Sequence, residues 1–209
     1  MKNAGKHADK LKSVCKKLVK EHKPQPKQTQ EALKALVRGA MSYDVSDARA
    51  EDAMKAIEKE FVDLNELRVA TDLEIQEMLG QRYPDIERRV RMITQSLNDI
   101  FEREHTLSLN RLKEISRRDA RQFLRELPEI HPFVEAYVMM MSLDGNAFPV
   151  DDSMLEYLRE EEIFEEEMTL EDAQKFIEHH LKAEDLHPFY VSLRKEATDS
   201  SRGKKKQKA

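Results

Sequence analysis

Residues 127–151 read LPEIHPFVEAYVMMMSLDGNAFPVD, and this stretch decides the fold. Leu127-Pro128 opens a tight turn, and His131-Pro132 starts an apolar helix that runs to Leu143. Proline is tolerated in the first helical turn because its missing N–H has no partner there anyway. Gly145 ends the helix, and Asp151 or Asp152 starts the next one, SMLEYLREEE. The unit is therefore helix, turn, helix, return loop, helix.

Working outward, the same grammar repeats. Ser116 caps RRDARQFLREL, whose inner face is Ala120, Phe123, Leu124 and Leu127, and SLNRLKEIS before it makes a short helical turn. Ile86, Val90, Ile93, Leu97 and Ile100 lie at helical spacing and predict a long amphipathic helix, with Pro84 near its first turn. Thr71 and Glu74 form a capping box for TDLEIQEML, closed by Gly80. Ala50, Ala53, Met54, Ile57 and Phe61 trace one helical face, and Leu33, Leu36, Val37, Ala40 and Met41 trace another. Thr169 with Asp172 caps LEDAQKFIEHHL, and AEDLHPFYVSLRKEA is a last helix. No strand alternation and no internal repeat is visible, so the fold class is all-α.

The chain has 209 residues, no tryptophan and one cysteine, Cys15, so it holds no intramolecular disulfide and no four-cysteine metal or iron–sulfur site. No apolar run is long enough for a membrane span, and the N-terminus lacks the apolar core of a signal peptide. A reducing, cytoplasmic setting fits, although Lys204–Lys206 also fits a nuclear address. The net charge of −5 conceals an asymmetry. Residues 1–27 carry +7 and residues 202–209 carry +5, so residues 28–201 carry −17. Three segments follow: a basic N-terminal extension of helix plus linker (1–27, with Pro24 and Pro26), a helical domain (28–197), and a basic, disordered tail (198–209). Basic ends of this kind suit phosphate backbones, or simply solubilise.

The LP turn, the terminal Val150-Asp151 and the order of short helices resemble the helix-hairpin-helix superfamily of base-excision DNA glycosylases (HhH-GPD), endonuclease III-like. FVDLNEL from Phe61, followed by Ala70 and TDLEIQEML, resembles the family's paired helices, and RGAMSYDVSD (Arg38–Asp47) stands where the family turns after its first helix. The resemblance implies a two-lobed helical fold, with the Leu127–Phe133 turn and Asp151 at the mouth of a cleft. It also implies contact with double-stranded DNA, through Pro128, Glu129, Ile130 and His131 of the hairpin, without membrane, cofactor or metal, by a monomer.

The match is one of spacing, and the identities inside it have changed. The family hairpin reads L-P-G-V-G, and its glycines let backbone N–H groups approach a phosphate. Glu129 and His131 replace both glycines, and Pro132 removes a donor. The hairpin is then degenerate, and the turn reads equally as a tight connection with His131 as helix cap. Bifunctional members place a lysine nucleophile where this chain has Phe133, so Schiff-base lyase chemistry is excluded there. Monofunctional members rely on an aspartate that stabilises cationic character as the glycosidic bond breaks, and Asp151 matches it by spacing. Asp151 is equally a helix N-cap.

Phe133 and Met41 are the pocket candidates, Met41 standing near the family's duplex-entering glutamine, though a methionine on an apolar face is also a core residue. Arg117, Arg118 and Arg121, with Arg88, Arg89 and Arg91, are the phosphate-contact candidates, or else pair with nearby carboxylates. His179–His180 and the Glu160–Glu167 run read as surface groups. Two functions follow: a DNA-repair-type protein that excises a base monofunctionally through Asp151, or a catalytically inactive glycosylase-like module that binds DNA or a protein.

Overall fold

The computed structural model describes the backbone of residues 4–207 and the side chains of residues 5–198. Among these residues there are eleven α-helices, one 3-10 turn and no strand. No helix of the described residues is long and apolar enough to cross a membrane. The chain divides into two compact units: Thr29–Gly145, and Met1–Gln28 together with Asn146–Ala209. The N-terminal segment, expected as an extension of a 28–197 domain, thus belongs to one unit with the C-terminal helices.

The first unit contains α2 (Ala32–Ser42), α3 (Asp47–Glu60), α4 (Leu64–Val69), α5 (Asp72–Leu79), α6 (Ile86–Glu104), the 3-10 turn Asn110–Lys113, α7 (Arg117–Arg125) and α8 (Pro132–Ser142). Helix α2 is the hub, packing on α3, α6 and α8. It is buried nearly all round, where a surface helix would bury one stripe. At Gly39, α2 and α8 come close: a Cβ there would lie 3.3 Å from both Tyr137 Cδ1 and Val134 Cγ1. The apolar α8 is buried along its length from Phe133 to Ser142. The capping box of α5 forms as read, with Glu74 accepting from the Thr71 N–H at 2.8 Å. That bond and the Thr71 hydroxyl hold the Glu74 carboxyl below its usual range.

The second unit joins α1 (Ala4–His22) to α9 (Asp152–Glu160), α10 (Leu170–His180) and α11 (Ala183–Gln207). Helix α1 buries Ala8, Leu11, Val14, Cys15 and Leu18, and packs on α10 and α11. His7 Nδ1 lies 2.8 Å from the Ile163 carbonyl, and Lys10 pairs with Glu162 at 2.7 Å, which ties α1 to the loop after α9. Burial pushes the Cys15 thiol up to about 12, so it is an inert core group. Helix α11 continues to Gln207, so the backbone expected to be a disordered tail is helical that far. The side chains of residues 199–209, including Lys204–Lys206, and the backbone of 208–209 lie outside the described residues.

Candidate functional site: the hairpin and the Asp151 cap

The hairpin joins α7 to α8. Glu129 adopts φ 52°, the left-handed conformation that glycine takes without cost. Glu129 is exposed and lies 3.7 Å from Arg91. Replacing Glu129 with glycine is expected to raise stability by up to ~1 kcal/mol, through relief of this backbone strain. Urea unfolding at constant m value checks it.

Three hairpin N–H groups are already bonded within the protein. Ile130 donates to the Leu127 carbonyl at 3.3 Å, His131 donates to Met92 Sδ at 3.3 Å, and Phe133 donates to His131 Nδ1 at 3.2 Å. His131 is thus the N-cap of α8, and its ring stacks flat on Tyr43, with centroids 4.3 Å apart and planes within 1°. A phosphate at this turn meets the Glu129 carboxylate, Pro132 without an N–H, and three N–H groups that are already bonded. Pro128 and Ile130 are half-buried. His131 as helix cap is the geometry that the tight-turn reading of residues 128–131 describes.

Phe133 and Met41, the two pocket candidates, are both buried. Phe133 is 1% exposed and packs against Tyr43 and Tyr137, with centroids 6.3 and 6.1 Å away. Met41 is fully buried on α2, and its carbonyl accepts from the Tyr83 hydroxyl at 2.6 Å.

The arginines divide. Arg121 donates to Glu135 at 2.7 Å and Arg125 to the same carboxylate at 3.2 Å. Glu135 is buried in α8, and burial raises its pKa against the pull of the two guanidiniums. Arg121 therefore holds α7 on α8 instead of facing solvent. Arg89 is fully buried and donates to three carbonyls: Pro84 (2.7 Å), Ala40 (2.6 Å) and Tyr43 (2.7 Å). Its guanidinium also lies 3.6 Å from the Tyr43 ring centroid. Arg89 staples the turn after α2, and desolvation lowers its pKa. Arg88, Arg117 and Arg118 are exposed. Arg117 and Arg118 sit at the N-terminal end of α7, roughly 12 Å along the axis from its hairpin end at 1.5 Å per residue.

Asp151 caps α9 in the second unit. One carboxylate oxygen accepts from the Met154 N–H at 3.0 Å and from the Ser153 hydroxyl at 2.8 Å. The other lies 3.7 Å from the Arg194 guanidinium on α11. Asp151 is 2% exposed and Arg194 3%. The carboxylate is thus buried and faces a buried guanidinium. Arg194 was not singled out from the sequence. Its spacing from Tyr190 and Ala197 does place it on the buried face of α11.

No family model matches the chain, and no curated protein does. Solved structures do. The Clostridium acetobutylicum 8-oxoguanine glycosylase/lyase, in complex with dsDNA containing cytosine opposite 8-oxoG, superposes with a TM-score of 0.72 at 16% identity, over 95% of this chain and 71% of that one. A trapped endonuclease III–DNA covalent intermediate gives 0.70 at 10% identity, over 90% and 84%. The H. pylori 3-methyladenine DNA glycosylase bound to 1,N6-ethenoadenine gives 0.65 at 11%, over 95% and 98%. The chain has the helix-hairpin-helix DNA glycosylase fold. At these identities the likeness defines fold, and activity rests on the residues.

Proposed function

We propose that this chain is a DNA-binding protein built on the glycosylase scaffold that does not excise bases. The burial of Asp151 at 2% exposure, with Arg194 beside it, carries this reading. Monofunctional excision through Asp151, which the resemblance implies, needs that carboxylate to meet a sugar and a water. Phe133 in the lysine position leaves no amine to replace it. DNA remains the ligand that fits best, since structures of the same fold contain it.

The grip then falls to basic surfaces other than the hairpin. Lys12, Lys16 and Lys20 are exposed at i, i+4 and i+8 along α1, at the margin of its buried face beside Leu181 and Asp185. That spacing makes one row with a cation about every 6 Å. Duplex binding should accordingly be salt-dependent. Changing Lys12, Lys16 and Lys20 to alanine is expected to make the slope of log K against log salt shallower by about 2.7, if each contacts one phosphate. His131→Ala should leave the slope unchanged. Fluorescence anisotropy with an undamaged duplex over a salt series measures both. A wild-type chain that binds no duplex at low salt overturns the DNA reading.

A further inference from the structure

Four large apolar side chains are strongly exposed among the described residues: Val62 (92%), Val69 (63%), Leu73 (60%) and Phe101 (38%). Exposed apolar groups scattered singly are ordinary, but these four fall in one region of the first unit. Val62 and Val69 flank α4, and Leu73 is the second residue of α5, which follows after the turn Ala70–Thr71. Phe101 lies on α6 beneath Arg68 of α4, whose guanidinium is 4.3 Å from the ring centroid. Hydrogen bonds fix this face in place. Arg68 donates to Asn65 and, at 2.8 Å, to Asn98 of α6. Thr94 of α6 donates to Asp72 at 2.8 Å, and the Val62 N–H donates to Glu66 at 2.6 Å. An apolar patch with a polar rim marks a protein-interaction surface, and one already ordered loses little entropy when it is covered.

The charge of the rim selects the partner. Residues 60–77 carry six carboxylates, Glu60, Asp63, Glu66, Asp72, Glu74 and Glu77, against one cation, Arg68. The hydrogen bonds these carboxylates accept come from N–H and hydroxyl groups, which leave the negative charge in place. Such a rim repels a nucleic acid and attracts lysine and arginine. The span suits a helix: the six residues of α4 rise about 9 Å, and residues i and i+7 of a docked helix lie about 10 Å apart. A second copy of this chain offers no such helix among its described residues, since α1 is basic and amphipathic but keeps its apolar face buried in its own unit. We infer that the α4–α5 face docks a basic amphipathic helix of a protein partner, with Val62, Val69 and Leu73 against its apolar side and the carboxylates against its Lys or Arg side chains. The inference concerns a different surface from the duplex-binding row and does not depend on it.

Isothermal titration calorimetry of the full chain tests this with short synthetic helical peptides. One carries Leu at helical spacing with Lys elsewhere, a second keeps the Leu face but replaces Lys with Glu, and a third keeps Lys but replaces Leu with Ser. The Leu/Lys peptide is expected to bind, and the other two at least ten-fold more weakly. Combining Val62→Ser, Val69→Ser and Leu73→Ser should weaken the Leu/Lys peptide about ten-fold or more, and Glu60→Gln with Glu77→Gln several-fold. The control is Glu165→Gln, Glu166→Gln and Glu167→Gln together, in an equally acidic run whose neighbours Ile163 and Phe164 are buried, and it should change nothing. Thermal melts confirm that each variant is folded. No binding of the Leu/Lys peptide at millimolar concentration overturns the inference. So does binding that the triple Ser variant leaves intact, or that the control variant weakens as much. Sedimentation that finds a dimer in wild type and a monomer in the triple Ser variant also overturns it, by assigning the face to a second copy of this chain.

Discussion

Replacing Arg89 with alanine is expected to cost about 3–5 kcal/mol of stability. The guanidinium reaches three carbonyls, of Ala40, Tyr43 and Pro84, and is fully enclosed. Truncation orphans all three acceptors and leaves a void beside Tyr43, and each unsatisfied buried group costs about 1–3 kcal/mol. Lysine keeps the charge but lacks the planar fork, so Arg89→Lys should recover only part of the loss. Urea unfolding midpoints measure this directly. A loss below about 1 kcal/mol would mean that Arg89 is solvent-facing, and would restore it as a phosphate contact.

The second large effect is at Asp151. Asp151→Ala removes the α9 cap and leaves Arg194 buried without its carboxylate, so about 3–5 kcal/mol should be lost. Asp151→Asn keeps a capping oxygen and should lose less. Arg194→Met in the Asp151→Ala background should return part of the stability, giving a coupling energy of at least ~1 kcal/mol in a double-mutant cycle. The sign separates the two readings of this residue. A carboxylate held open for chemistry is kept at a cost in stability, and its removal leaves the fold neutral or firmer. A structural carboxylate loosens the fold when removed.

Much of the fold was legible because helix signals are local. The Thr71–Glu74 box, the Ser116 and Thr169 caps and the stripe from Ile86 to Ile100 all form as read. The site was less legible. By residue type alone Arg89 is a phosphate-contact candidate like Arg88 and Arg91. Yet it falls three residues after Ile86 and four before Ile93, inside the buried stripe, and that spacing was the available signal. Met41 likewise lies four residues after Val37 on the apolar face of α2, and only the resemblance suggested a pocket role. Arg121 could not be placed from sequence, because its partner Glu135 lies across the hairpin in an otherwise apolar helix. The pairing of Asp151 with Arg194 joins positions 43 residues apart, beyond any local pattern. The helical N-terminal segment was read, but its membership of a unit with α9–α11 depends on long-range packing.

Base release under single-turnover conditions tests the central claim most directly. The full chain, in excess over duplexes carrying deaminated, oxidised or alkylated bases, is incubated and the released base quantified. The account predicts release no faster than the spontaneous rate from every duplex, with wild type and folded Asp151→Asn indistinguishable. Release that wild type accelerates and Asp151→Asn abolishes would contradict it, and would return the sealed carboxylate to the chemistry of base excision.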